Sequence, residues 1–414
     1  MNRFRMRRTE FTRGLALCCV FLGLVAGATG AWAGSSIVLS ASPPGPDAVL
    51  QRVVLVARHG IRSPTHEPAS LKEETGLDWP DWPVASGQLT PHGRKTLDAL
   101  MRDIARFYDF PCRLPGTFCL TKDEPVIWAD SADDRTRESG QIMADAFSST
   151  RRLRARALAP DQRDPVFNAV TPDFIAAHRD RLLEETARIV ALDRRARPPS
   201  VIEGLRALQA MIAPQGCQVK DRPCYTAQLA LSENKKRPMV LGGAARAASV
   251  AENLLLVYVE GLKSAGHGWL GQIEPGLLFT VVPVHDYFSD LTRRHGVLIE
   301  EKSRVMVGMI DAFLSGRDIA LGDGTPVGRE TRVLAFAGHD TTLDALAGHY
   351  GIDWHFSDQP DRTAPDTTLA FERWQKPDGE IVYRARVFHQ SLASLRAGQG
   401  NPNPPQDVTQ VPSR

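Results

Sequence analysis

The fold is set by residues 51–65, which have the sequence QRVVLVARHGIRSPT. The first half, residues 51–57, is short and rich in β-branched side chains, a pattern typical of a strand that is buried on both faces of a sheet. The second half turns at once to Arg58-His59-Gly60, so polar groups follow the end of the apolar run. We therefore predict a central strand that delivers functional side chains at its carboxyl end.

Two later segments repeat this pattern. Residues 125–129 (PVIWA) lead into Asp130 and a loop that holds Arg135, and residues 331–337 (TRVLAFA) lead into Gly338-His339-Asp340. Helical periodicity or composition fills the intervals at 90–107, 136–147 and 342–350. Strands that alternate with helices indicate an α/β sandwich around a largely parallel sheet, in which ligands bind beyond the carboxyl ends of the strands.

The middle of the chain lacks further strand patterns. Residues 161–261 are predicted to form a smaller, mainly α-helical cap domain, clearest at 200–211 and 244–258, between two parts of the α/β domain at 50–160 and 262–397. A later helix is predicted at 303–314, and a hairpin at 367–374 and 380–388 around the turn signal KPDG. The Pro-rich tail, residues 398–414, is expected to be disordered.

The first 33 residues are predicted to be a secretory signal peptide. Basic residues extend to Arg13, an apolar run follows from Gly14 to about Ala28, and residues 31–33 (AWA) fit an A-x-A cleavage site before Gly34. The apolar run is shorter than the ~20 residues that span a bilayer, so we expect no stable membrane insertion after cleavage. An uncleaved membrane anchor is the alternative. The expected location is periplasmic or secreted.

The charge balance gives no support for a nucleic-acid partner. The formal net charge of the whole chain is +2, but five arginines and one glutamate belong to the first 33 residues. The remaining chain carries 45 basic and 47 acidic side chains, a net charge of −2. A basic surface of the kind that binds DNA or RNA is therefore not expected.

Four cysteines lie beyond the signal peptide, in two pairs that are each seven positions apart: Cys112 with Cys119, and Cys217 with Cys224. Among the three possible connectivities, local bridges are the simplest in an oxidising compartment. A structural zinc site is the alternative, although neither pair has C-x2-C spacing.

The string Arg58-His59-Gly60-Ile61-Arg62 favours a dense anion as ligand. Two arginines flank one histidine, and arginine binds phosphate oxygens through a planar, permanently charged fork. A phosphate monoester brings ~1.5 to 2 negative charges at neutral pH, which would offset the repulsion within the cluster. Neighbouring cations disfavour protonation of His59, so its imidazole is expected to stay neutral and nucleophilic.

Attack by His59 on phosphorus would form a covalent phosphohistidine and divide a difficult displacement into two easier steps. The leaving alcohol still needs a proton. Asp340, which follows His339 at the end of another predicted strand, is a suitable general acid.

With these residues in place, the sequence resembles the histidine acid phosphatase family (histidine phosphatase superfamily, branch 2), and within it the bacterial periplasmic phytases and glucose-1-phosphatases. The resemblance extends from about Gln51 to about Ala397. The matching pieces are RHGIRSPT (58–65), WPDWPV (79–84), GQLTPHG (87–93), ADSADDRTR (129–137), DPVFN (164–168), AENLLL (251–256), GHDTTL (338–343) and FERW (371–374).

The resemblance implies His59 as the nucleophile and Asp340 as the proton donor. It implies that the phosphate is held by Arg58, Arg62, Arg135 and His339. It aligns four further residues with positions that shape the substrate pocket in relatives, namely Thr65, Glu252, His285 and Thr341. It also implies a phosphoglycerate-mutase-like three-layer α/β sandwich with an α-helical domain, no metal and no cofactor.

The expected activity is hydrolysis of small phosphate monoesters, with sugar phosphates or phytate-like compounds as substrates. His66 stands where phytases of this branch commonly carry lysine, which weakens a specific phytate assignment. Two alternatives remain: a phosphate-ester binding protein without turnover, and a phosphotransferase of the phosphoglycerate mutase type. The sequence gives no prediction of the oligomeric state.

Overall fold

The computed structural model describes residues 37–110, 125–148, 152–160, 162–220, 222–233, 236–262, 268–401 and 403–409. The predicted signal peptide lies outside these residues, and so do Cys112 and Cys119. Within the described ranges, none of the helices has the length and apolar character needed to cross a membrane.

The strands and the helices are numbered separately in chain order. The strands are β1 Val49–Arg58, β2 Val126–Ala129, β3 Leu229–Glu233, β4 Pro238–Gly242, β5 Ile319–Ala320, β6 Pro326–Val327, β7 Val333–Gly338, β8 Thr368–Gln375, β9 Ile381–Phe388 and β10 Gln406–Asp407. The helices are α1 Pro68–Thr75, α2 Pro91–Phe107, α3 Asp134–Phe147, α4 Pro172–Ala177, α5 Arg179–Ala196, α6 Pro199–Ile212, α7 Gly243–Glu260, α8 Pro275–Val281, α9 Pro283–Arg293, α10 Val297–Leu314, α11 Asp340–Tyr350 and α12 Leu392–Ala397, with a 3-10 turn at Gly268–Gln272.

The central sheet has six strands in the order β10-β9-β8-β1-β7-β2. Strands β1, β7 and β2 are parallel, as predicted, whereas β8 pairs antiparallel with β1 and β9 pairs antiparallel with β8. The sheet is therefore mixed rather than largely parallel. The reason is the predicted hairpin, which adds its first strand directly to the free edge of β1.

The register brings the ends of the three parallel strands to one edge. Arg58 at the end of β1 lies opposite Gly338 of β7, and Ala129 at the end of β2 lies opposite Ala337. The residues that follow these strands, including His59 and His339, therefore emerge side by side.

Two hydrophobic layers cover the sheet, because alternate residues of β1 face opposite sides. Val54 and Val56 belong to a core that includes buried residues of α10 and α11. Val53 and Leu55 belong to a second core with buried residues of α2 and α3. The predicted α/β sandwich is thus confirmed.

A third hydrophobic core joins the helices of the middle segment. It includes buried residues of α5, α6 and α7, and also of α8 and α9, which lie beyond residue 261. The segment 161–261 is mostly helical, but it also contains the β3–β4 hairpin, which the sequence analysis did not predict. Its strands are five residues long and mostly not buried, so they lack the apolar run of an interior strand. The predicted bridge between Cys217 and Cys224 is present after α6, with the two Cα atoms 4.5 Å apart.

The C-terminal tail differs from the expectation of disorder. Strand β10 pairs with β9 through Gln406 and Asp407, and the N–H of Val408 donates to the carbonyl oxygen of Ala385. The Thr409 hydroxyl also accepts from the N–H of Ala385. The unpaired edge of the hairpin supplies the hydrogen-bond partners that the composition of the tail did not reveal.

Candidate active site

The loop after β1 is hydrogen-bonded to a second loop, which leads into α2. The N–H of Ser63 donates to the carbonyl oxygen of Gln88, and the N–H of Thr90 donates to that of Ile61. The Thr90 side chain caps α2 by accepting from the N–H of Gly93. A Cβ atom at Gly93 would lie 2.1 Å from the carbonyl oxygen of Ile61, so only glycine permits this approach. The motif GQLTPHG thus fixes the backbone around His59.

His59 is buried and its ring is oriented by its own loop. Nδ1 lies 2.8 Å from the carbonyl oxygen of Gly60, an acceptor that requires the proton on Nδ1. Nε2 of a neutral ring then carries the free lone pair. Burial lowers the pKa of His59 well below its ordinary value, and the charges of Arg135, Arg58 and Arg62 lower it further. The predicted neutral imidazole is therefore what this environment favours.

Three arginines act electrostatically on this ring, namely Arg58, Arg62 and Arg135. Arg58 donates through Nη1 to Asp361 Oδ2 at 3.3 Å and to the Thr363 carbonyl oxygen at 2.5 Å. Arg135 makes a two-pronged contact with Asp133, at 2.9 and 2.8 Å. The Nε atoms of Arg58, Arg62 and Arg135 are buried and have no hydrogen-bond partner among the described residues. Buried, unsatisfied donors of this kind are costly, which favours an anionic ligand at this site.

Glu252 is the counter-ion shared by two of these arginines. Its Oε1 lies 2.5 Å from Arg58 Nη2 and 3.2 Å from Arg62 Nη2. Burial raises the pKa of Glu252, but the charges of Arg62 and Arg58 outweigh burial and the net shift is downward. Glu252 comes from α7, so the helical segment contributes directly to the site.

His339 and Asp340 lie where β7 gives way to α11. His339 Nε2 is 2.9 Å from Asp130 Oδ2, and the two rings of His59 and His339 meet edge to face with centroids 5.6 Å apart. The backbone N–H of His339 donates to the Thr342 hydroxyl at 3.4 Å. Gly338 is packed under the Phe167 ring, where a Cβ atom would lie 2.9 Å from the nearest ring atom. The motif DPVFN thus supports the start of α11.

Asp340 is the first residue of α11 and is paired with an arginine that the sequence analysis missed. Arg293 Nη1 lies 2.5 Å from Asp340 Oδ2. Burial raises the pKa of Asp340, but the charges of Arg293 and Arg58 outweigh burial and hold this pKa well below its ordinary value. The surrounding cations therefore favour the carboxylate form of Asp340 in the ligand-free site.

The remaining predicted residues have more peripheral places. His285 on α9 is buried, its Nε2 has no hydrogen-bond partner among the described residues, and it acts electrostatically on Asp340 and Glu252. The Thr341 hydroxyl accepts from Lys302 Nζ at 2.9 Å. Thr65 is exposed, beside Gly87, whose carbonyl oxygen accepts from Arg135 Nη1 at 3.2 Å.

Four residues around the site were not predicted from the sequence: Arg293, Lys302, Asp361 and Asp133. Arg293 stands in an Arg-Arg pair at a helix end, a common place for basic residues because they complement the helix dipole. The sequence signal was therefore weak. Burial lowers the pKa of Lys302, although the charge of Asp340 opposes this shift. Asp133 lies inside a quoted motif, and its contact with Arg135 could have been suspected from the i, i+2 spacing in that loop.

Asp366 lies next to the loop that holds His59. It is fully buried, it adopts a left-handed backbone conformation with φ of 72°, and its N–H donates to the His59 carbonyl oxygen at 3.3 Å. Burial raises the pKa of Asp366 to about 8, although Thr96 and the charge of Arg58 favour ionisation. The folded state thus keeps a proton that the unfolded chain loses near pH 4.

Replacing Asp366 with Asn is expected to stabilise the protein in a pH-dependent way. Because the folded pKa is raised, stability falls as pH rises from about 4 to about 8, and Asn removes this loss while it tolerates the left-handed conformation. The gain in unfolding free energy should be small at pH 4.5 and grow by about 2 to 4 kcal/mol by pH 8. Urea unfolding at both pH values measures it. An equal gain at the two pH values would contradict this protonation of Asp366.

The comparisons with known proteins agree with this geometry. The sequence model described as "Histidine phosphatase superfamily (branch 2)" matches residues 49–183, which include His59 and Arg135. The chain is 27% identical over 368 residues to Phytase AppA of Escherichia coli (strain K12), covering 85% of this chain and 83% of that protein. It is 23% identical over 379 residues to the glucose-1-phosphatase of Providencia rettgeri, covering 88% and 86%.

Solved structures share the fold. A Hafnia alvei phytase in complex with tartrate has a TM-score of 0.71 at 24% identity, over 88% of this chain and 91% of that chain. A Citrobacter braakii phytase has a TM-score of 0.73 at 21% identity, over 87% and 91%. Together with the motifs that meet at one edge of the sheet, these matches support the resemblance: the chain resembles the histidine phosphatase superfamily, branch 2, and its relatives point to a phosphomonoester hydrolase.

Proposed function

We propose that this protein is a phosphomonoester hydrolase that acts through a covalent phosphohistidine on His59, with Asp340 as proton donor. The observation that carries the proposal is the state of the His59 ring: Nδ1 is bound to the Gly60 carbonyl oxygen, and three guanidinium groups act electrostatically on the ring. This arrangement supports an uncharged Nε2 nucleophile beside donors suited to phosphate oxygens.

The proposed reaction has two displacements at phosphorus. His59 Nε2 forms a bond to phosphorus while the bond from phosphorus to the ester oxygen breaks, and Asp340 gives its proton to that oxygen. Water then attacks the phosphohistidine, its proton passes to the Asp340 carboxylate, and inorganic phosphate and neutral His59 are regenerated. Arg58, Arg62, Arg135 and His339 are proposed to hold the phosphoryl oxygens throughout.

We also propose that substrate binding leads to protonation of Asp340. In the ligand-free site the surrounding cations favour the Asp340 carboxylate. A phosphate dianion beside Arg58 offsets those cations and favours the protonated acid, since a nearby like charge raises the pKa of a carboxyl group. The proton is thus held when a leaving group is present to receive it.

The substrates we propose are phosphate monoesters of sugars or phytate-like polyols. Support comes from the two relatives described above, a phytase and a glucose-1-phosphatase. Thr65, Glu252, His285 and Thr341 are proposed to shape the pocket. Of these, Thr65 is exposed and is best placed to meet the group beyond the phosphate.

We further propose that the protein is exported to the periplasm or beyond. The support is the predicted signal sequence before Gly34 and the bridge between Cys217 and Cys224, because disulfides persist in oxidising compartments. N-terminal sequencing of the exported protein tests this proposal: a chain that begins near residue 34 supports it, and one that begins at Met1 contradicts it.

A panel of glucose 1-phosphate, phytate and p-nitrophenyl phosphate at mildly acidic pH tests the activity. The proposal expects inorganic phosphate release from at least one of them, with loss of release in Arg62→Ala and retention in Arg329→Ala, an exposed arginine paired with Asp318. Binding of a monoester without phosphate release would favour the binding-protein alternative. Transfer of the phosphate to a second hydroxyl compound in place of water would favour the phosphotransferase.

A further inference from the structure

Arg293 occupies a position that none of the sequence motifs marks. It is the last residue of α9, and its Nη1 contacts Asp340 Oδ2 at 2.5 Å. Both side chains are only partly exposed, 24% for Arg293 and 15% for Asp340. The ion pair therefore lies at the border between the site and the helical core, where solvent screening is weak.

Arg293 also has a second carboxylate within reach. Asp344 lies one helical turn after Asp340 on α11, is fully buried, and has its Oδ2 4.0 Å from Arg293 Nη1. The other oxygen of Asp344 is 3.5 Å from Arg294 Nε and 3.3 Å from Arg362 Nη2. Asp344 Oδ2 has no hydrogen-bond partner among the described residues, so its attraction for Arg293 is electrostatic and remains when Asp340 becomes neutral.

The groups that act on Asp340 come from several elements. The groups that favour its ionised form are Arg58 from β1, Arg135 from α3, His285 and Arg293 from α9, Lys302 from α10 and His339 before α11. The carboxylates that oppose it are Glu252 from α7 and Asp344 on α11 itself. Arg293 forms the ion pair with the Asp340 carboxylate. Arg58 is already engaged with Glu252, Asp361 and a carbonyl oxygen.

We propose that Arg293 is a positioning residue that holds the Asp340 carboxylate in the site and sets the pH above which Asp340 no longer protonates the leaving group. The inference rests on the proposed function, because it assigns a controlling partner to the proposed acid. A guanidinium in contact favours the carboxylate, so Arg293 restricts proton donation to acidic solution. Arg293 itself neither forms nor breaks a bond in the reaction.

The kinetic test follows alcohol release in a single turnover, which reports ionisation in the enzyme–substrate complex. With glycerol 2-phosphate, the alkaline limb of the pH profile is expected to move up by about one pH unit in Arg293→Gln. Arg293→Met is a second neutral variant that keeps the apolar stem and is expected to show the same shift. Arg293→Lys restores the charge and should bring the limb back toward that of the wild type.

The matched control is Arg304→Gln, which removes the same charge from an exposed position on α10 where Arg304 pairs with Glu301. The alkaline limb of the pH profile of Arg304→Gln should coincide with that of the wild type. With p-nitrophenyl phosphate, whose leaving group needs little protonation, the limb should move little in any variant. A wild-type limb in both neutral Arg293 variants would overturn the proposal.

A second readout does not depend on turnover. In protein labelled with ¹³C at the aspartate carboxyl groups, the Asp340 resonance is identified by its loss in Asp340→Asn. Its titration midpoint is expected to rise by at least about one pH unit in Arg293→Gln and to stay unchanged in Arg304→Gln. An unchanged midpoint in Arg293→Gln overturns the proposal, even where hydrolysis fails. Absence of hydrolysis with a shifted midpoint rejects the proposed function and keeps the role of Arg293 as the counter-ion.

Discussion

Replacing His59 with alanine is expected to lower kcat for p-nitrophenyl phosphate by about 10⁴-fold or more. In the proposed mechanism the imidazole supplies the nucleophilic nitrogen, and the loop from Arg58 to Ser63 contains no second imidazole. Loss of a nucleophile commonly removes all but the contribution of substrate binding and charge stabilisation. The steady-state rate and the KM for the variant and the wild type give the measurement.

The control for this variant is His355→Ala, which removes an exposed imidazole outside the site. Its kcat should match that of the wild type. The His59→Ala protein should still bind inorganic phosphate, because Arg58, Arg62 and Arg135 remain. Hydrolysis by His59→Ala at the wild-type rate would reject nucleophilic catalysis by this residue.

Replacing Asp340 with Asn is expected to lower kcat/KM most for the substrates whose leaving groups are most basic. For glycerol 2-phosphate, kcat/KM should fall by about 10² to 10⁴-fold, because the departing alkoxide must receive a proton. For p-nitrophenyl phosphate, the fall should be within about tenfold, since nitrophenolate leaves without one. The ratio of the two losses is the quantity to measure.

This ratio separates acid catalysis from an electrostatic side effect. Removing the Asp340 charge leaves Arg293 without its 2.5 Å partner and changes the affinity of the site for any phosphate dianion. Such a change acts on both substrates equally. Equal losses for the two substrates would therefore exclude Asp340 as the general acid.

Much of the fold was predictable because the decisive segments carry strong local patterns. The runs before His59 and before His339 became the central parallel strands, and alternate residues of β1 entered the two predicted layers. The β3–β4 hairpin and strand β10 were not predictable in the same way. Their residues are largely exposed or pair only at an edge, so hydrophobic periodicity leaves no mark on them.

The residues of the site also fall into two groups: some stand in local motifs, and others reach the site through contacts between distant parts of the sequence. His59, Arg62 and Asp340 stand in dense motifs at strand ends, where the sequence alone predicts a shared edge. Arg293 and Lys302 reach Asp340 and Thr341 from helices α9 and α10, through contacts that span 47 and 39 residues of sequence. Side-chain contacts over such separations depend on helix packing, which one sequence does not specify. The effect of Arg293 on the protonation of Asp340 is therefore not predictable from the sequence.

The central claim is that the phosphoryl group passes through His59. The direct test mixes the wild type with ³²P-labelled p-nitrophenyl phosphate and quenches the reaction rapidly without acid. The protein is then digested at alkaline pH and its peptides are mapped, because phosphohistidine survives alkali. The account predicts label on the peptide that contains His59, appearing within the first turnover and absent in His59→Ala. Label on another residue, or full turnover of the wild type with no labelled protein at any time, would contradict it.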